Sequence, residues 1–155
     1  MGIEIEKKFL ITGDGWRTIG KSDHYRQGYI HSGEGKTVRV RTIGQRGILT
    51  IKGHNEGGIR LEFEYDIPFS DAEQMFTELC EKPFIEKIRH KVPWEGFIWE
   101  VDEFQGENKG LIFAEIELDH PDQHFSKPPW IGREVTGNPR YYNVFLVKNP
   151  FSIWK

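Results

Sequence analysis

The sequence contains a single cysteine and no long apolar segment, and both absences narrow the kinds of protein it can be. Cys80 has no partner for a disulfide within the chain, so we expect a reducing compartment and predict a cytoplasmic protein. No run of about 18 apolar residues occurs, and the first residues do not follow the pattern of a signal peptide. The sequence therefore predicts neither a membrane span nor an export signal.

The sequence also lacks a large excess of charge of either sign. Its 21 Lys and Arg residues are balanced by 24 Asp and Glu, and the formal net charge at pH 7 is −3. Proteins that bind nucleic acid or anionic membranes usually carry a basic surface, because they must neutralise many phosphates. We therefore expect no nucleic acid and no membrane among the partners, and any anion must be bound locally.

Polar and apolar side chains alternate along much of the chain. The 155 residues have the length of one domain, and neither a repeat nor a linker divides them. Alternation with a period of two residues is typical of half-buried antiparallel strands. We predict eight strands on this basis, the one at 24–30 being the least regular: residues 3–10, 24–30, 37–43, 49–52, 60–67, 85–91, 98–104 and 112–118.

Two helices are predicted between and after these strands. Ser70 and Glu73 have the spacing of a capping box that opens a helix through about residue 81, before Pro83. A second helix is predicted from Arg140 to about residue 149, where Pro150 ends it. The fold class is therefore mainly β (α+β), with helices packed outside the sheet.

The polar positions of the predicted strands are almost all ionisable. A sheet with one solvated face would explain the alternation, but such a face would be expected to mix in Ser, Thr, Asn and Gln. We favour a closed or nearly closed antiparallel eight-stranded barrel, whose interior would be a charged tunnel. The alternate strand positions that would face this tunnel define what we call the tunnel, or inward, parity. Seven cations and eight carboxylates share it: Lys8, Arg39, Arg41, Lys52, Arg60, Lys87 and Arg89, with Glu4, Glu6, Glu62, Glu64, Glu100, Asp102, Glu115 and Glu117.

This mixture of signs indicates the kind of ligand. Buried charges are tolerated only when they are paired or bound to ions. A triphosphate with about four negative charges, accompanied by two divalent cations, would add almost no net charge to the tunnel. The interior therefore suits a small metal–phosphate ligand better than a bare polyanion.

An ordered series of motifs runs through nearly the whole chain. It comprises EIEKKFL, RQGYI, TVRVRT, LTIKG, RLEFEYDIP, EKIRHKV, WEVDEFQGENKGLIFAEIEL and PPWIGREVTGNPRYYN. This series, with its opening Glu-x-Glu-x-Lys at Glu4, Glu6 and Lys8, resembles the CYTH proteins, also called triphosphate tunnel metalloenzymes. That superfamily includes inorganic triphosphatases, thiamine triphosphatases and class IV adenylate cyclases. The resemblance implies a single CYTH domain over residues 1–155.

The resemblance also implies roles for the charged positions. Basic side chains bind the phosphates, namely Lys8, Arg39, Arg41, Lys52, Lys87 and Arg89; we add Arg60, which shares the tunnel parity, and Arg133, which we expect at a tunnel mouth. Carboxylates hold Mg²⁺ or Mn²⁺, and we expect two ions bound by Glu4, Glu6, Glu62, Glu64, Asp102, Glu115 and Glu117. Hard divalent cations prefer such oxygen ligands, and Arg is suited to bidentate contact with phosphate.

The predicted reaction is metal-dependent hydrolysis of the terminal phosphate of a triphosphate, most simply inorganic tripolyphosphate, by in-line attack of water. Lys8, Tyr29 and Lys87 are the predicted catalytic side chains. A carboxylate near the second metal is the first candidate for the general base, and Tyr29 is the second.

Several alternatives stay open at this point. They are a nucleoside or thiamine triphosphatase, a class IV adenylate cyclase, and a non-catalytic protein that binds polyphosphate or nucleotide. The partner is expected to be a small triphosphate. The chain is expected to be a monomer, or a homodimer formed through its outer apolar face.

Overall fold

The structure, a computed structural model, describes residues 2–154, and β-strands are its main regular elements. The strands are Ile3–Ile11 (β1), Lys21–Gly33 (β2), Lys36–Ile43 (β3), Arg46–Lys52 (β4), Ile59–Ile67 (β5), Ile85–Trp94 (β6), Phe97–Phe104 (β7), Ile112–Glu117 (β8) and Ile131–Glu134 (β9). The α-helices are Phe69–Glu78 (α1) and Asn143–Lys148 (α2), and short 3-10 turns occur at Gly106–Asn108, Pro139–Tyr141 and Phe151–Ile153.

The sheet closes on itself as an antiparallel barrel. Its strand order is β5-β4-β3-β2-β6-β7-β8-β1-β9, and an additional pairing of β5 with β1 completes the ring. That closure pairs Ile3 with Leu61 and Glu4 with Arg60. The predicted eight-stranded barrel is confirmed. The predicted strand at 24–30 is confirmed as well and is part of the longer strand β2.

One further strand, β9, lies beside β1 and was not predicted. Its four residues are too few to show a period of two, so alternation could not reveal it. It follows β1 through the pairs of Phe9 with Glu134 and Ile11 with Ile131. This strand extends the sheet past the barrel seam and does not form part of the closed ring.

Two apolar layers cover parts of the outer surface of the barrel. In one, Trp16 and Trp130 from the loops pack with the outward-facing Phe9, Trp99 and Ile116. In the other, α1 places Ala72 and Phe76 over Val40. Each fully buried side chain of this size stabilises the fold by about 1.5–3 kcal/mol, so these layers hold the barrel wall that carries the charged interior.

The first helix differs from the prediction at both ends. It begins at Phe69 with Pro68 as the N-cap residue, and no side chain caps it. The predicted capping box at Ser70 is therefore wrong, because Ser70 already lies inside the helix. The helix ends at Glu78 rather than near residue 81, since the backbone N–H of Glu81 donates to the carbonyl of Tyr29 instead of continuing the helix.

The C-terminal segment packs against inward-facing side chains of the barrel. The predicted helix from residue 140 is split, because Tyr142 is extended (φ −79°, ψ 135°) and α2 begins only after it. Leu146 and Val147 of α2 pack in one apolar cluster with Phe104 and Phe113. Those two phenylalanines share the inward parity of β7 and β8, so only α1 packs outside as predicted. Within residues 2–154, neither helix is long and apolar enough to cross a bilayer.

Candidate active site

The barrel encloses a cavity of about 270 Å³ whose wall is dominated by charged side chains. Nine basic and seven acidic residues line it, together with the C-terminal residues Tyr142, Asn143 and Val144. The volume lies just below the range of roughly 300–1,000 Å³ that is typical of sites for drug-sized ligands. The cavity therefore suits a compact ligand that carries much charge for its size.

Fourteen of the sixteen predicted site residues line this cavity, and two do not. Arg133 lies exposed on β9 and is absent from the cavity wall, so the structure does not place it at a tunnel mouth. Asp102 is fully buried behind the wall. The lining residues are Glu4, Glu6, Lys8, Tyr29, Arg39, Arg41, Lys52, Arg60, Glu62, Glu64, Lys87, Arg89, Glu115 and Glu117.

Two arginines of β3 form a cationic strip along one wall. Both guanidinium groups face Glu64, at 4.0 Å from Arg39 Nη2 and 3.5 Å from Arg41 Nη2. Burial, and then the neighbouring charges of Arg39 and Arg89, lower the pKa of Arg41 to about 10. Within residues 2–154 the Nε atoms of Arg39 and Arg41 have no hydrogen-bond partner. Crowded cations with unused donors are a favourable environment for an anion.

A second ionic group lies where β1 meets β5. Lys52 Nζ is 3.1 Å from Glu4 Oε1 and 3.3 Å from Glu62 Oε2, and Arg60 Nε is 3.3 Å from Glu4 Oε1. The closing register causes this arrangement, because Glu4 pairs directly with Arg60 and Lys52 with Glu62. Burial disfavours the charged carboxylate, but Lys52 and Arg60 hold the pKa of Glu4 below its ordinary value.

A third group joins β6 and β7 through Asp102. Its carboxylate accepts hydrogen bonds from Arg89 Nε at 2.7 Å, Arg89 Nη2 at 2.9 Å and Lys87 Nζ at 2.8 Å. Burial lowers the pKa of Lys87 to about 7, although the charge of Asp102 opposes the shift. The predicted metal ligand Asp102 therefore differs from the others, because its oxygens face two cations behind the wall. In this arrangement it anchors Lys87 and Arg89.

The remaining carboxylates form an acidic group with few basic partners. Burial, followed by the charges of Glu115 and Glu4, holds the pKa of Glu6 well above its ordinary value. Burial, and then Glu4 and Glu62, raises the pKa of Glu117. Glu115 is the exception, because Lys8 and Arg89 overcome its burial and hold its pKa well below the usual range. Carboxylates that repel one another in this way would be stabilised by a bound cation.

The acidic group fits a divalent metal in its chemistry, and it is an open rather than a closed set of ligands. In the part of the chain that the structure describes, no three Asp, Glu, His or Cys side chains converge as a ready-made metal cage. Mg²⁺ seldom uses a cage of that kind, because it keeps several waters and binds through one or two carboxylates and the oxygens of a phosphate substrate. The oxygen donors of Glu6, Glu115 and Glu117 suit that mode of binding.

Several lining residues were missed by the sequence analysis. Tyr25 has the inward parity of Tyr29 on β2, and its ring lies 5.1 Å from the guanidinium carbons of both Arg41 and Arg89. Arg46 and Lys91 continue the inward parity of β4 and β6, so parity could have revealed all three. Asn143 belongs to no strand, and no local pattern indicated that it would reach the cavity.

Comparison with known proteins gives one consistent family. The model of the CYTH domain matches residues 2–142. A protein of Acetivibrio thermocellus named inorganic triphosphatase is 56% identical over 155 residues, which are 100% of this chain and 99% of that protein. An inorganic triphosphatase of Nitrosomonas europaea is 34% identical over 92% of this chain and 95% of its own length.

The fold agrees with a solved structure of the same kind. The crystal structure of an inorganic triphosphatase superposes with a TM-score of 0.65 at 31% identity, over 92% of this chain and 96% of that one. A conserved protein of Pyrococcus furiosus has the same fold at 22% identity and a TM-score of 0.57, over 81% of each chain. With a family model that spans nearly all of its residues, the chain belongs to the CYTH family.

Proposed function

We propose that this chain is an inorganic triphosphatase that hydrolyses the terminal phosphate of tripolyphosphate with the help of a divalent metal ion. The observation that carries the proposal is the cavity of about 270 Å³, which has nine basic and seven acidic side chains in its wall. The two relatives named inorganic triphosphatase, at 56% and 34% identity, support the same activity.

The basic side chains would bind the triphosphate. Arg39 and Arg41 offer unused guanidinium donors on one wall, and Arg89 is fixed beside them by Asp102. Lys8 on β1 and Lys87 on β6 each contribute a single ammonium group to the wall. Positioning and charge neutralisation are the main contributions that a protein makes to phosphoryl transfer, and this set supplies both.

The acidic group would hold Mg²⁺ or Mn²⁺, and we propose two ions. Glu6, Glu115 and Glu117 are the first candidates as ligands, with Glu4 and Glu62 alongside them. A bound divalent ion would polarise the phosphate oxygens and lower the pKa of the attacking water. The basic residues that bind the terminal phosphate would hold its phosphorus in position for in-line attack by this water.

The small cavity favours an unsubstituted triphosphate over the nucleoside, thiamine and cyclase alternatives. A cyclase must also hold an adenine ring, and two of the three tyrosines that line the cavity already lie against cations: Tyr25 beside Arg41 and Arg89, and Tyr142 at 5.6 Å from Lys8 Nζ. A non-catalytic binder of polyphosphate would need the basic residues but not the acidic group.

A homodimer is also part of the proposal. Five apolar side chains on β1, β4 and β5 are 41–62% exposed and are covered by neither outer layer: Ile3, Ile51, Leu61, Phe63 and Tyr65. Half-exposed side chains of this size present on the order of 500 Å² in one copy. Two copies facing each other would bury about 1,000 Å² from these residues alone, close to the lower limit for specific interfaces.

The single cysteine supports our assignment to the cytoplasm.

A phosphate-release assay tests the activity. Purified protein is given tripolyphosphate, ATP or thiamine triphosphate, each with Mg²⁺, Mn²⁺ or EDTA, and the ATP reaction is also analysed for cyclic AMP. Rapid, metal-dependent release from tripolyphosphate with slow turnover of the others supports the proposal. Cyclic AMP would indicate a cyclase, faster turnover of ATP or thiamine triphosphate would move the preference to that substrate, and binding without any turnover would indicate a binding protein.

A further inference from the structure

A chain of buried and partly buried hydrogen bonds connects Lys87 to the hydroxyl of Tyr29 through two residues that the proposed chemistry does not use. Lys87 Nζ donates to Asn143 Oδ1 at 2.8 Å. Gln27 Nε2 donates to the same oxygen at 2.9 Å and to Tyr29 Oη at 3.3 Å. Gln27 is fully buried, and Tyr29 is 4% exposed and lines the cavity.

The direction of every bond in this chain follows from Lys87. In its protonated form Lys87 can only donate, so the atom of Asn143 that faces this ammonium group must be its oxygen. That same oxygen faces Gln27, which must therefore present its amide nitrogen rather than its carbonyl. The nitrogen also reaches Tyr29, so the tyrosine oxygen accepts a hydrogen bond from Gln27.

This orientation carries a cost at the side-chain oxygen of Gln27. Within residues 2–154, Oε1 of Gln27 is buried and has no hydrogen-bond partner. Buried polar atoms are nearly always paired, because leaving one unpaired costs stability. Turning the amide over would place this oxygen against Asn143 Oδ1, and Lys87 prevents Asn143 from turning with it. The orientation is retained in spite of its cost.

These hydrogen bonds leave the proton of the Tyr29 hydroxyl free to point into the cavity. Its oxygen already accepts from Gln27, and no side chain that the structure describes accepts a hydrogen bond from it. The tyrosine faces Lys8, Arg39 and Arg60, which offer donors but no acceptors. We infer that Gln27 and Asn143 are positioning residues that hold the Tyr29 hydroxyl as a hydrogen-bond donor to an oxygen of the bound triphosphate. This inference rests on the proposed function, and it gives Tyr29 a role other than the general base.

Isosteric substitutions test the direction of the chain. Gln27→Glu keeps the shape but only accepts, so it would turn the Tyr29 proton away from the substrate and disturb Asn143. Asn143→Asp keeps an oxygen for both Lys87 and Gln27, whereas Asn143→Leu removes it. Gln105→Glu is the matched control, because Gln105 lies outside the cavity and its side chain bonds only the backbone of Glu103.

The kinetic constants for tripolyphosphate decide the outcome. Loss of a donor to the transition state typically lowers kcat by about 10²-fold or more, so Tyr29→Phe and Gln27→Glu should each show a large loss of kcat. The double variant should be no worse than the more damaged single one, because both changes remove the same hydrogen bond. Asn143→Asp should keep kcat while its added charge raises KM, and Asn143→Leu should lose kcat.

The opposite results would overturn the inference. They are a Gln27→Glu variant with the kcat of Gln105→Glu, losses that multiply in the double variant, or an Asn143→Asp variant as damaged as Asn143→Leu. If the wild-type protein does not hydrolyse tripolyphosphate, the proposed function fails by itself. The inference is then tested by calorimetry of tripolyphosphate binding without metal: Tyr29→Phe and Gln27→Glu should weaken the affinity equally, and unchanged affinity in either would contradict it.

Discussion

Replacement of Asp102 by Asn would remove the one carboxylate that, among the described residues, accepts hydrogen bonds from both Lys87 and Arg89. The carboxylate has no exposed surface and accepts three hydrogen bonds of 2.7–2.9 Å from Lys87 and Arg89. Asp102→Asn keeps the volume of the side chain but has only one oxygen to accept these bonds. Its amide nitrogen must face a donor. Among the described residues, the variant therefore leaves buried Lys87 without a carboxylate partner, whereas Arg89 keeps its contacts with Glu100 at 3.3 Å and Glu115 at 3.4 Å.

The size of the effect follows from this geometry. Breaking a buried ion pair by removing one partner typically costs about 3–5 kcal/mol. Lys87 can relieve part of this cost by losing its proton, because its pKa is already about 7. We therefore expect the lower limit, about 3 kcal/mol. One kcal/mol changes Tm by about 2–4 °C in a domain of this size, so the predicted decrease is roughly 6–12 °C.

Thermal unfolding at pH 7 without metal, followed by circular dichroism, measures this decrease. Asp66→Asn is the matched control, because the pair of Asp66 with Arg46 is exposed on both sides and such pairs contribute little. If Asp102→Asn lowers Tm by no more than the control does, Asp102 is not a stabilising anchor of Lys87 and Arg89. Activity regained at raised Mg²⁺ concentration would also contradict that role, since that result would make Asp102 a metal ligand instead of an anchor.

Three further predictions concern charge and surface. The folded-state pKa of Glu6 lies well above 4.5, so the metal-free protein should lose stability as the pH rises through that raised pKa. Glu6→Gln should therefore raise Tm at pH 7 without metal and reduce the stabilisation by Mg²⁺; a lower metal-free Tm would contradict the acidic group. Lys87 should lose its proton above pH about 7, so kcat/KM should fall there, and Lys87→Arg should abolish that fall; a profile that Lys87→Arg leaves unchanged would exclude Lys87 as its cause. Phe63→Glu should convert a homodimer to a monomer in size-exclusion chromatography with hydrolysis unchanged, and a wild-type monomer would refute the proposed interface.

The barrel and most of its charged wall could be predicted because polar and apolar residues alternate between neighbouring positions of each strand. Glu4, Glu6 and Lys8 alternate with apolar residues, and closure of the sheet brings them opposite Arg60 and Glu115. Any side chain that shares this parity is placed inside by the same rule. Tyr25, Arg46 and Lys91 obey it too, and a stricter use of parity would have included them.

The features that could not be predicted depend on contacts distant in sequence. Asn143 reaches Lys87 across 56 residues of chain, and nothing near either residue indicates that contact. Asp102 has the parity of a tunnel residue, but two cations from β6 hold it behind the wall. The early end of α1 has the same kind of cause, because Glu81 bonds to β2 instead of continuing the helix.

Metal and triphosphate should bind together inside the barrel, and a crystal structure with Mn²⁺ and a non-hydrolysable imido analogue of tripolyphosphate would show whether they do. Anomalous scattering locates the manganese without reference to the protein. We expect manganese beside Glu6, Glu115 and Glu117, with the phosphates on Arg39 and Arg41. Manganese and phosphate found only on the outer surface, with the cavity holding neither, would contradict this expectation.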